Sequence, residues 1–230
     1  MSRCHLVLAS ASPARLATLQ RAGVEPTVQV SGVDEDAAVA RAQRAHGSLP
    51  PGDIALLLAR AKAEDVAETL FSAAGLLVRG NRDLPRRTGH LVLGCDSILE
   101  LDGVAHGKPA DAAEAIARWR QMRGRCGILH TGHWLIDDRD PRDGGSCGAV
   151  GAIASTQVRF ATLSDNEIEA YVGTGEPLHV AGAFTVDGLG GAFVTSIEGD
   201  FHNVVGLSLP LLRELLMRVG VGWFDLALSP

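Results

Sequence analysis

The sequence predicts an α/β fold built on a mixed sheet, and three observations carry that prediction. Short apolar runs of strand length alternate with helical patterns through the first half of the chain. Strand-like runs dominate the second half before a closing helix, which points to antiparallel pairs added to a parallel start. The helical patterns open on capping residues, so their starts are marked independently of hydrophobicity.

In chain order, His5–Ser10 reads as a buried strand. Ser12 suits an N-cap, Pro13 the first helical position and Gly23 the stop. Thr27–Val30 reads as a second strand. Asp34–His46 and Asp53–Ala74 read as helices, separated by a break at Gly47–Gly52. Leu76–His90 starts apolar and becomes basic and turn-rich, so a surface insertion is expected at 75–89. Leu91–Leu101 is a strong strand that ends in a hairpin-like turn at Asp102-Gly103. Ala110–Gly124 is a helix with Asp111 at its cap. Cys126–Ile136 and Ala152–Leu163 read as strands joined by a polar, glycine-rich loop at 137–148. Ser164 and Glu167 form a capping box for a short helix. Gly182–Gly206 is glycine-dense with β-favouring residues, and Leu209–Val219 closes the chain as a helix with Ser208 near its cap and Pro210 in its first turn.

A chain of 230 residues fits one large domain, or two lobes that share a sheet. It buries roughly 70–75% of its unfolded surface, so it needs no disulfide or metal staple to fold. The net charge of −6 argues against a general nucleic-acid surface, which normally announces itself as basic. Cys4, Cys95, Cys126 and Cys147 are scattered without a CxxC pair, which suggests reduced thiols rather than zinc ligands or disulfides. The apolar run Leu6–Ala9 is too short for a signal peptide or a membrane span. A cytoplasmic protein is expected, with no membrane partner.

Six stretches carry candidate chemistry. In LASASPAR, a helix N-terminus with Ser10, Ser12 and Arg15 can receive a phosphate; equally, Ser12 caps the helix and Arg15 lies in solvent. In GCDS, Asp96 interrupts an apolar strand, and a carboxylate there must meet a cation, a metal or a cleft unless it starts a turn. In HGKPAD, Gly107 allows close backbone approach and Lys108 supplies a point charge, although the spacing of a Walker loop is absent. In LARAKA, Lys62 lies on a helix with an apolar face, where a snorkelling lysine is the ordinary reading. In GVDED, Asp34, Glu35 and Asp36 either cap the next helix or hold a divalent cation. The glycines of AGAFTVDGLGG either wall a small-molecule pocket or make hairpin turns. His130 and His133 are three apart in a strand, hence on opposite faces, and are set aside as joint metal ligands. No GxSxG elbow is present to support a serine hydrolase.

Taken in order, LASASPAR, GVDED, LARAKA, GCDS, HGKP, AGAFTVDGLGG and GDFHNVVGLSLP resemble the Maf family of nucleoside triphosphate pyrophosphatases over nearly the whole chain. The resemblance implies an elongated two-lobed α/β fold with flanking helices, related to inosine triphosphatase-like proteins, with a nucleotide cleft between the lobes. It implies hydrolysis of (d)NTPs, non-standard or modified ones among them, to the monophosphate and pyrophosphate, with a divalent cation such as Mg²⁺ or Mn²⁺ as cofactor. Ser10, Arg15, Lys62 and Lys108 fall at phosphate-contacting positions and Glu35 and Asp96 at acidic, metal-holding ones; Asp96 matches the proton acceptor. A homodimer is also implied.

Three positions depart from the family pattern. Ala14 stands where SPRR has its first arginine, Ser97 replaces the threonine of GADT, and Asp187 replaces a glutamine before the GxGG glycines. These positions are tied to base selectivity in the subgroup acting on dTTP and UTP, so specificity is expected to differ. An aspartate accepts hydrogen bonds where an amide also donates. The rival expectation is a nucleotide-binding regulator of cell division with little turnover, suggested by the cation lost at Ala14; a metal-dependent phosphomonoesterase is more distant.

Overall fold

The computed structural model describes residues 4–77 and 89–226. A seven-stranded mixed sheet runs through the molecule. Its strands are β1 (His5–Ala9), β2 (Thr27–Val28), β3 (His90–Leu101), β4 (Val104–His106), β5 (Cys126–Asp137), β6 (Ala149–Phe160) and β7 (Val194–Glu198). Their order is β2-β1-β3-β5-β6-β7, with β4 paired to β3 beside that path. β1 lies parallel to β2 and β3, and every later pair is antiparallel. The expected mixed sheet is therefore present, with its parallel part confined to the N-terminal strands.

The helices are α1 (Pro13–Arg21), α2 (Glu35–His46), α3 (Pro51–Leu77), α4 (Ala112–Met122), α5 (Asp165–Gly173), α6 (Phe201–Val205) and α7 (Leu209–Arg218). Their starts follow local chemistry. Ser12, Asp34, Asp111 and Ser208 each accept a backbone N–H three residues on, and Ser164 and Glu167 complete the capping box.

Helix α3 lies almost in contact with the sheet. A Cβ on Gly94 of β3 would come within 2.1 Å of the Ala59 carbonyl oxygen, and one on Gly132 of β5 within 2.4 Å of Ala55. Ala55, Ala59 and Ala63 are fully buried at four-residue spacing, so one stripe of small residues on α3 meets the two strand glycines. On the opposite face, α1 and α7 pack around Leu6, Leu8, Leu93, Leu135, Leu212 and Leu216. A separate cluster centres on Trp119, Phe160, Tyr171 and Phe184.

The structure refines four readings. β2 ends at Val28 rather than Val30, with its side chains exposed. The glycine-dense stretch is largely not strand. After a 3₁₀ turn at Glu176–His179 that precedes it, it forms 3₁₀ turns at Ala181–Ala183 and Leu189–Phe193, then β7 and α6. Gly182 and Ala183 have φ of 71° and 59°, which breaks any extended run there. The polar loop after β5 is tethered: Arg139, 8% exposed, pairs with fully buried Asp137 at 2.8 Å and donates to the Val219 carbonyl at 3.0 Å. The insertion expected at 75–89 is partly helix, since α3 continues through Leu77, and 78–88 lies outside the described residues.

Candidate active site

Strand pairing locates the site. β1 pairs with β3 from His90 to Gly94, and β4 pairs with the same edge from Leu99 to Leu101. The other edge of β3 is covered by β5. Cys95–Ile98 therefore lie where β1 has ended and β4 has not begun, a break in the sheet edge at the C-terminal end of a parallel strand. Such breaks are where open α/β sheets place ligands.

Because side chains alternate along β3, Asp96 and Ser97 face opposite sides of the sheet. Asp96 shares its side with Gly94, and thus with α3. The close helix approach at Gly94 brings Lys62 Nζ to 2.5 Å from Asp96 Oδ1. The same ammonium lies 2.9 Å from Glu35 Oε1 at the first turn of α2. Asp34 spends its carboxylate on the α2 cap, accepting Ala37 N–H at 2.9 Å, so the acidic run divides into a capping residue and a site residue. Asp65, one turn beyond Lys62, accepts Gly32 N–H at 2.8 Å and holds the approach to α2. Burial raises the Asp96 carboxyl above its ordinary value, opposed by the charges of Lys62 and Arg15.

On the other side of β3, Arg15 is 9% exposed and fixed at three points. Its Nε donates to the Gly206 carbonyl at 2.7 Å, and its terminal nitrogens donate to Ser10 Oγ and Ser97 Oγ at 3.0 Å each. All three acceptors are neutral, and among the described residues Arg15 forms no ion pair. Two of its five N–H groups remain for an anion. Ser10 Oγ also accepts Ser12 N–H at 3.2 Å, which leaves its own hydrogen free to donate. Ala14, beside Arg15 in the same turn, is an apolar residue on the half-buried helix surface.

Ser97 is committed differently. Thr131 Oγ1 lies 3.0 Å from Ser97 Oγ and gives its own hydrogen to the Asn203 carbonyl at 3.2 Å. Ser97 therefore donates to Thr131 while accepting from Arg15.

Lys108 follows β4 at the end that faces the break. A Cβ on Gly107 would lie 3.9 Å from Ile98 Cδ1, and the Gly107 carbonyl accepts from Arg118 at 2.5 Å and from Gly182 N–H at 3.0 Å. The Lys108 side chain is exposed and makes no hydrogen bond or ion pair among the described residues. Asp187 is likewise exposed, within the segment that follows Gly182. That segment is gathered by Glu176, whose carboxylate accepts from Tyr171 Oη at 2.9 Å, Thr185 Oγ1 at 2.5 Å, and the N–H groups of Leu189 and Gly190 at 2.9 Å.

The family model described as Maf-like protein matches residues 5–219. The chain belongs to the Maf family. It is 51% identical over 97% of its length to a protein of Streptomyces coelicolor named nucleoside triphosphate pyrophosphatase, covering 95% of that protein. It is 54% identical over 94% of its length to one of the same name from Salinispora tropica, covering 84% of it. A third, from Leifsonia xyli, is 51% identical with 96% of each chain covered.

Within this Maf-family fold, Ser10, Arg15, Glu35, Lys62, Asp96 and Ser97 come together around the β3 break, while Lys108 and Asp187 stand on segments joined through Gly107 and Gly182. Sequence reasoning missed four supports. Gly206 sits at φ 118°, and a Cβ there would press to 3.3 Å on Arg15 Nε. Buried Arg118 pins the Lys108 turn, and Glu176 gathers the Asp187 segment. His133 is fully buried, accepts Ser208 N–H at 2.9 Å and donates to the Thr131 carbonyl at 3.1 Å. The motif GDFHNVVGLSLP was a signal for Gly206 and Ser208; for the others nothing local in the sequence distinguishes a site support from an ordinary polar residue.

Proposed function

We propose that this Maf-family chain is a nucleoside triphosphate pyrophosphatase that hydrolyses (d)NTPs, non-standard or modified ones among them, to monophosphate and pyrophosphate. The observation that carries the reading is the pairing of Asp96, with Lys62 and Glu35, on one side of the β3 break and Arg15, with Ser10, on the other. A triphosphate brings about four negative charges. Arg15, without a carboxylate partner among the described residues, the spare N–H of Lys62, the exposed Lys108 and the Ser10 hydroxyl suit its phosphates in kind, and the names of the relatives agree.

In this mechanism Arg15, Ser10 and Lys108 hold the phosphate chain, and Asp96 takes a proton from the water that attacks the α-phosphorus. The new bond is O–Pα, the bond lost is Pα–O to the β-phosphate, and pyrophosphate leaves. Burial suits Asp96 to the task, because it makes the carboxylate a stronger base than an exposed one. Lys62 orients that carboxylate.

Glu35 and Asp96 supply hard oxygen ligands of the type a divalent cation takes. Among the described residues no group of three or more His, Cys, Asp or Glu is arranged to hold a metal. A site of two carboxylates completed by substrate phosphates and water fits the habit of Mg²⁺. When bound, such a cation would neutralise charge on the phosphates. No helix among the described residues is long and apolar enough to cross a membrane. A cytoplasmic housecleaning role, a two-lobed cleft and a homodimer remain parts of this proposal.

The test is a panel of nucleoside triphosphates with Mg²⁺ or Mn²⁺, read for pyrophosphate and monophosphate. Asp96→Asn should lower turnover by about 10²–10⁴-fold while nucleotide binding survives. Orthophosphate in place of pyrophosphate would overturn the cleavage site. Binding without turnover across the panel would favour the nucleotide-binding regulator, and hydrolysis of p-nitrophenyl phosphate the phosphomonoesterase.

A further inference from the structure

We propose that Lys62 is the resident counter-ion of the Glu35–Asp96 pair and makes binding of the divalent cation and of the triphosphate mutually dependent. The cation is then held firmly only together with the nucleotide. This rests on the nucleoside triphosphate pyrophosphatase reading above and adds to it a coupling between cation and nucleotide that the reading does not contain.

The Lys62 ammonium bridges the two carboxylates, at 2.9 Å from Glu35 Oε1 and 2.5 Å from Asp96 Oδ1. A divalent ion that took one oxygen from each carboxylate would stand within a few ångströms of that ammonium, and like charges so close repel, most strongly on the side of buried Asp96 rather than of Glu35, which is 43% exposed. Among the described residues these two carboxylates are the only acceptors the ammonium has. Its side chain is 11% exposed, and its helix is seated on Gly94 and Gly132, where backbone lies against backbone. Two carboxylates and one ammonium sum to a single negative charge, and no third acidic ligand joins them among the described residues. A bare cation therefore meets a weak site.

A triphosphate changes this balance. Its oxygens offer Lys62 an acceptor in exchange for the carboxylates and offer the cation the ligands that the protein lacks. Each therefore improves the site for the other, and thermodynamic linkage requires the improvement to be equal in both directions. Lys62 is thus both the phosphate contact that the family resemblance implies and the group that keeps the carboxylates from holding metal alone.

The experiment is Mn²⁺ binding to the full chain by electron paramagnetic resonance, without nucleotide and with a triphosphate analogue carrying a methylene group between the α- and β-phosphorus. A protein-free titration corrects for Mn²⁺ held by the analogue itself. Native protein should bind Mn²⁺ at least tenfold more tightly with the analogue than without it. Lys62→Met, with folding checked by its melting curve, should bind Mn²⁺ alone at least tenfold more tightly than native protein, and adding Glu35→Gln should reverse that gain. Equal Mn²⁺ affinity of native protein with and without the analogue overturns the proposal and needs no variant. Equal affinity of folded Lys62→Met and native protein for Mn²⁺ alone overturns it as well. Pyrophosphate release by native protein is scored separately, so loss of the counter-ion role and loss of the pyrophosphatase reading are told apart.

Discussion

Gly94 and Ala59 meet with no room for a side chain between them: a Cβ on Gly94 would stand 2.1 Å from the Ala59 carbonyl oxygen. This contact sets the height of α3 above β3 and hence the reach of Lys62 to Asp96, two residues along the same strand face. Gly94→Ala should push the helix off the sheet. Overpacking of this kind costs about 3 kcal/mol, and urea unfolding should read a loss of that size. Pyrophosphate release should fall further than the stability loss explains, because the Lys62–Asp96 pair is displaced. Native stability and turnover in this variant would show that the helix is not seated as described.

Ser97 holds Arg15 and gives its own hydrogen to Thr131. Ser97→Ala removes one anchor and leaves Arg15 a buried donor without its acceptor, a defect of about 1–2 kcal/mol. The expected signature is a KM for the triphosphate raised by about tenfold, with kcat changed much less. Steady-state kinetics on the best nucleotide of the panel checks it. A kcat effect with unchanged KM would instead place Ser97 at the reacting atoms.

His133 makes the fold sensitive to acid. Burial holds its imidazole down to about 4 from an ordinary 6.5. It accepts Ser208 N–H through Nε2, so the neutral ring with hydrogen on Nδ1 is the form that fits. Between those two pH values the unfolded chain carries the proton and the folded chain does not. Stability is therefore complete above about pH 6.5 and falls as the pH drops towards 4, by about 3 kcal/mol in all. His133→Gln should be less stable at neutral pH and should lose this part of the slope. Identical pH slopes in native protein and variant, measured by denaturant unfolding from pH 7 to pH 4.5, would remove His133 as the cause.

Glu176 gathers Tyr171, Thr185, Leu189 and Gly190 around one carboxylate. Glu176→Ala frees the segment that carries Asp187. The nucleotide panel should show base preference flattened by several-fold, together with a stability loss of about 1–3 kcal/mol for the stranded donors. A stability loss with the base preference intact would limit Glu176 to a structural role.

The caps were legible in the sequence because each joins a side chain to a backbone N–H three residues on. Ser12, Asp34, Asp111, Ser164 and Ser208 all behave that way. The opposite faces of His130 and His133 were legible from alternation alone: one meets Glu100 and Ser155, the other Ser208. The glycine-dense stretch could be read only as turn-rich with β-favouring residues, because its shape depends on Glu176 and on positive φ at Gly182 and Ala183, neither of which β-propensity reports. The loop after β5 read only as polar and glycine-rich, because the partners that hold Arg139 include the distant Val219 carbonyl.

By itself, then, the sequence determined the mixed α/β class, most helix starts and the roster of charged and hydroxyl residues that carry the family resemblance. Those are properties of neighbours within a few positions, where propensity, capping and alternation act. Tertiary structure decided the use of that roster. Arg15 is aimed by acceptors 82 and 191 residues away, and Lys62 by an aspartate 34 residues away. Which faces of β3 they meet depends on where β1 stops and β4 starts, and on how closely α3 settles on two glycines. Distance and direction between remote groups are fixed by packing, and packing is a property of the whole chain.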